Sequence, residues 1–167
     1  MKPLPAASEG FAPERVAESL AEGFVMTEER GAEEAGSAVS QQGVKGFISV
    51  RFKSEAALEG SSPPTYGRFR LRFYEYRSGD AAAASLVNFA ADVGDSTFYK
   101  SPMLAFADGP VLTRLDGECL FSRDDWEGIE RKLAAAIFPE GMPADFRQFR
   151  MLCGGAVTSR PTEDAGR

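Results

Sequence analysis

The sequence predicts an α+β domain, an antiparallel sheet of about five strands with about three helices packed mainly on one face. Three observations carry that expectation. Two stretches, "VKGFISVRFK" at 44–53 and "RFRLRFYEY" at 68–76, alternate apolar and polar residues, the period of a half-buried strand. Three other stretches repeat apolar residues at helical spacing. Two Asp-Gly pairs, Asp108-Gly109 and Asp116-Gly117, favour the positive φ angles of tight hairpins, which join antiparallel neighbours.

The elements follow in order. Residues 1–10, with two prolines and a glycine, read as a flexible arm ahead of a single domain over 11–157. "APERVAESLAEGF" places Pro13 in a first turn and repeats Val16, Leu20 and Phe24 four residues apart, so it reads as a helix. A short strand over Phe24–Glu28 is expected next, then an exposed acidic loop, "EERGAEEAGSAVSQQG". In the first long strand Ile48, Val50 and Phe52 take one face and Lys45, Phe47, Ser49, Arg51 and Lys53 the other. The second long strand runs from about Tyr66 to Arg77, with Phe69, Leu71 and Phe73 toward the core.

Ser78 or Asp80 can cap the next helix, "DAAAASLVNFAADVG", which Gly94 would close in an αL conformation. A meander of three short strands is expected at Met103–Ala107, Val111–Leu115 and Glu118–Phe121. Pro110 implies a first turn longer than two residues, while Asp116-Gly117 reads as a two-residue turn pairing Arg114 with Cys119. Ser122 caps a last helix with Trp126, Ile129, Leu133 and Ile137 on its apolar stripe and Pro139 at its end. "FRQFRMLCGGAV" reads as a short docked segment, and residues 158–167 as a disordered tail. The alanine-rich helices and the strand–Ser-x-Asp–helix passages resemble those of many bacterial domains, some of them exported.

Composition removes several function classes. The chain of 167 residues has 25 acidic and 19 basic side chains, a net charge of −6, which opposes nonspecific binding to nucleic acid or anionic membrane. It has no histidine, and that excludes Ser-His-Asp and Cys-His catalysis and every histidine metal site. No Cys-x-x-Cys, phosphate-cradling glycine loop or EF-hand loop occurs, so no metal and no cofactor is expected. No apolar run reaches the roughly 18 residues of a bilayer span, and "MKPLPAASEG" lacks the apolar core of a signal peptide. The chain reads as soluble, either cytoplasmic or a mature exported domain whose signal has been removed.

One surface stands out. Arg68, Arg70 and Arg72 alternate with the core residues of the second long strand, and Tyr74 and Tyr76 continue their register. With Lys45, Arg51 and Lys53 on a neighbouring strand, like charges would face each other at a cost of a few tenths of a kcal/mol or more each. The chain's own acids could neutralise them. The alternative is a binding face made of Arg51, Arg68, Arg70, Arg72, Tyr74 and Tyr76, residue types enriched in interface hot spots, which would take an acidic protein partner or a small anion.

Two other function classes have residues to argue from. A hydrolase would use paired carboxylates, or Cys119 activated by Arg114. Each aspartate near those positions has a local role in a turn or cap, and the absence of histidine deprives the thiol of its usual base. Cys119 and Cys153 read first as two buried thiols and second as a disulfide fixing the C-terminal segment to the sheet. "KGFISVRF" resembles the RNP1 segment of the RNA recognition motif through Lys45, Gly46, Phe47, Val50 and Phe52. That resemblance implies bases stacked on Phe47, with Ser49 replacing the second aromatic platform.

Overall fold

A computed structural model describes residues 13–30, 43–97, 100–143 and 146–161. The arm at 1–10, residues 31–42 of the acidic loop expected over 28–43 and most of the expected tail lie outside them; residues 28–30 of that loop are strand instead. Among the described residues the elements are α1 (Pro13–Leu20), β1 (Phe24–Arg30), β2 (Val44–Ser54), β3 (Arg68–Tyr76), α2 (Gly79–Gly94), β4 (Met103–Asp108), β5 (Val111–Gly117), α3 (Arg123–Ile137), β6 (Gln148–Met151) and β7 (Val157–Ser159). The strands form one antiparallel sheet of seven in the order β1-β2-β3-β5-β4-β6-β7. The class is α+β as expected. The two extra strands are β6 and β7, too short to establish a period in the sequence.

Helices lie on both faces, two of the three on one of them. On one face α1 and α3 bury Val16, Leu20, Trp126, Ile129 and Leu133 against Ile48, Val50, Phe52, Phe69, Leu71 and Phe73. Leu71 and Phe73 are wholly buried, each contributing about 1.5–3 kcal/mol of hydrophobic stabilisation. Phe52 stacks on Phe69 at 4.7 Å, and Phe24 meets the same ring edge-on at 4.9 Å. On the other face α2 packs Ala82, Leu86, Ala90 and Val93 against Met103, Ala105, Leu112, Phe149 and Met151. The small alanines let this helix approach the sheet closely. It lies over the β5-β4-β6 side and leaves the Arg68–Arg72 stretch uncovered.

Local signals set the helix ends. Ser78 accepts a bond from the Ala81 amide at 3.2 Å, and Ser122 accepts one from the Asp125 amide at 3.1 Å. Gly94 does not form the expected αL cap. The helix runs through it to Asp95, which has φ −95°, and Gly94 instead lies against the Arg160 guanidinium.

The meander is corrected twice. Asp108 pairs directly with Val111, so the first hairpin loop has only two residues, Gly109 at φ +51° and Pro110. A glycine at the first central position with proline at the second satisfies a type II′ turn, because proline fixes the negative φ needed there. Asp116-Gly117 is not a turn. β5 continues through both residues, with Asp116 opposite Arg70 and Gly117 opposite Phe69, and 118–121 form no strand. Gly117 is required because a Cβ there would overlap the Trp126 ring. At the C-terminal side, β7 extends past the expected boundary at 157.

Candidate functional site

The two long strands are antiparallel neighbours, with Arg51 opposite Arg70, Lys53 opposite Arg68 and Ser49 opposite Arg72. Strand alternation directs these residues to the sheet face that α2 leaves open. They line a groove of about 610 Å³ running across four strands. Thr27 of β1 stands at one end, and Asp116, Gly117 and Glu118 close the other. Among the described residues the lining cations are Arg51, Lys53, Arg68, Arg70 and Arg72, and the lining acids are Asp116 and Glu118.

The arginines fall into two groups. Arg72 and Arg114 share Asp116, with Arg72 Nη1 at 2.7 Å from Oδ2 and Arg114 Nη2 at 2.6 Å from Oδ1. Arg114 also lies 4.5 Å from the centre of the Phe89 ring on α2. This part of the face is neutralised by the chain itself. Lys53, Arg68 and Arg70 form no ion pair among the described residues; Lys53 instead sits 4.2 Å over the Tyr66 ring. Arg51 has partners of its own, and Glu28 stands opposite it in the β1 register.

The two tyrosines differ from each other in exposure. α2 begins at Gly79, three residues after Tyr76, and turns back over that end of β3. Tyr76 is 3% exposed and belongs to the core beneath α2. Tyr74 is partly buried against Phe47, with ring centres 5.1 Å apart. Burial raises the pKa of both phenols; Arg72 and Arg114 pull that of Tyr74 back in part, and a hydrogen bond with Ser85 does so for Tyr76. Tyr76 is therefore removed from the face that the sequence pattern implied, while Tyr74 stays partly exposed beside Arg72.

The other candidates also change. Cys119 and Cys153 are exposed and joined in a disulfide, with Cα atoms 5.4 Å apart, so the expectation of two buried thiols is overturned and Cys119 offers no thiolate. It does not pair with Arg114, because β5 does not turn at 116. Phe47 is only 7% exposed and Ser49 the same, so the RNP1-like strand presents no stacking platform. A second cavity of about 350 Å³ lies beside α3 among Phe106, Phe138, Met142 and Phe146. Its carboxylates are engaged. Glu130 accepts bonds from Trp126 Nε1 at 2.8 Å and from Arg150 Nε at 2.9 Å, and Glu127 bonds Arg123 at 3.0 Å. These contacts lower the Glu127 pKa, chiefly through the Arg123 hydrogen bond, and suit the pair to structure rather than to base catalysis.

Sequence reasoning missed Asp116 because Asp-Gly is a strong turn signal. Lys53, which alternation places on the outer face, also lines the groove. Among the described residues no cluster of acidic or cysteine side chains is placed to hold a metal ion, and no helix is long and apolar enough to cross a membrane. No protein-family model matches the chain, and no curated protein or solved structure matches it either.

Proposed function

We propose that the protein is a non-enzymatic binding module whose groove receives an acidic partner surface or a small anion. One observation carries this: Lys53, Arg68 and Arg70 stand together on an open sheet face without an ion pair among the described residues. Clustered like charges on adjacent strands cost free energy that an incoming anion recovers. The groove lining is dominated by charge, which fits a hydrophilic anion better than an apolar ligand. The readings as a hydrolase and as an RNA-binding domain have less support, given the bonded Cys119 and the buried Phe47. The disulfide favours an oxidising compartment.

Titration with polyglutamate at low and high salt tests the proposal. Binding is expected at about 0.01 M salt, where screening reaches only beyond about 30 Å, and is expected to weaken strongly near 1 M. The combined substitution Lys53→Gln, Arg68→Gln and Arg70→Gln should remove it. Absence of binding at low salt, or undiminished binding by the triple variant, would refute the proposed role.

A further inference from the structure

We infer that the groove's ligand is an extended protein segment carrying carboxylates at alternate positions, Asp/Glu-x-Asp/Glu. This rests on the binding-module proposal and specifies its partner. Arg68 and Arg70 are two residues apart on β3, so their side chains leave the sheet about 6.8 Å apart along the strand. An extended chain repeats its own side chains at that same interval. Laid along β3, it would present one carboxylate to Arg68 and Lys53, which face each other across β3 and β2, and the next to Arg70. The third arginine in the row, Arg72, is already held by Asp116, so the match ends after two carboxylates.

A single oxyanion would need both guanidinium groups to converge on it, whereas carboxylates at the strand interval meet each arginine at its own position. The groove is also a shallow feature of an open face, without the enclosure that buries most of a small ligand. Its shoulder favours a peptide. Val25 on the edge strand β1 pairs with Lys53, shares its face and is 51% exposed, so it offers an apolar contact beside the charged row. Arginine adds planar, two-pronged recognition of carboxylates at both positions of the row.

Fluorescence anisotropy with two labelled hexapeptides of equal charge tests the inference. One alternates Glu-Ser-Glu-Ser-Glu-Ser and the other, Glu-Glu-Ser-Ser-Glu-Ser, has no two glutamates at alternate positions; tripolyphosphate serves as competitor. The alternating peptide should bind about fivefold more tightly, the sum of two modest exposed ion pairs placed in register. Arg70→Gln should erase that preference, while Arg131→Gln on α3 should leave it intact. Thermal melts should show both variants folded. Equal affinity for the two peptides would overturn the inference and leave the binding-module proposal standing, as would tripolyphosphate binding with no peptide binding. Failure of every acidic probe at low salt would overturn both.

Discussion

Asp116 is the residue on which the charge balance of the open face turns, and Asp116→Asn is the most informative substitution. Its carboxylate accepts two charge-assisted hydrogen bonds, from Arg72 Nη1 at 2.7 Å and Arg114 Nε at 2.7 Å, and Arg114 Nη2 lies 2.6 Å from it in the same ion pair. The three side chains are only 16–20% exposed, so water can replace these bonds only in part. Asparagine keeps one acceptor but removes the charge, and leaves Arg72 directly opposite Arg114 across β3 and β5. A hydrogen bond to a charged group contributes about 1.5–3 kcal/mol when buried, and an exposed ion pair less than about 1. Partial exposure places the expected loss at about 2 kcal/mol, or a fall in Tm of about 4–8 °C for a chain of this size. Urea denaturation gives the free energy. Adding Arg114→Met should restore at least about 1 kcal/mol, since it removes the unmasked repulsion. The same Asp116→Asn variant should bind polyglutamate about threefold more tightly at low salt, because Arg72 is released into the groove. A stability change under about 0.5 kcal/mol would refute the reasoning, and so would a double variant no more stable than the single one.

Three further outcomes follow from the same structure. Reduction of the Cys119–Cys153 disulfide, which spans 34 residues, should destabilise the protein by about 3.5–4 kcal/mol on the chain-entropy relation; a loss below about 1 in urea titrations with and without reductant would contradict it. Arg150→Met should cost about 3 kcal/mol, because Glu130, with its side chain 11% exposed, loses its cationic partner; denaturation showing no loss would place that network outside the stability account. The phenols of Tyr74 and Tyr76 titrate above the ordinary value of 10.0 when folded, so their contribution is complete below 10.0 and is lost as pH rises through the folded-state values. Stability should therefore fall more steeply at alkaline pH in the wild type than in a Tyr74→Phe/Tyr76→Phe variant, and identical slopes would show that burial does not shift these groups.

The parts of the fold legible in the sequence were those with strong local chemistry. The alternation around Ile48–Phe52 and Phe69–Phe73 placed two central strands and their core face, and Ser78 and Ser122 began two helices where the caps are found. What escaped depended on contacts distant in the chain. Asp116-Gly117 carries a turn signal, yet a strand continues because β3 pairs with it and Trp126 occupies the space a side chain would need. Tyr76 shares the arginine register, but only the path of α2 shows that it is covered. β6 and β7 are four and three residues long, below the length at which periodicity has meaning. The arginine row itself could be read directly, whereas its division into a neutralised half and a half without ion pairs required Asp116 to be placed in space.

The most direct test is to watch the arginine side chains themselves. The Nε–Hε resonances of Arg68 and Arg70, assigned through Arg→Lys variants, should shift on addition of oligoglutamate at low salt and return as salt is added. Shifts confined to Arg123, Arg131 and Arg147, or none at all, would mean that acidic ligands are received elsewhere or not received.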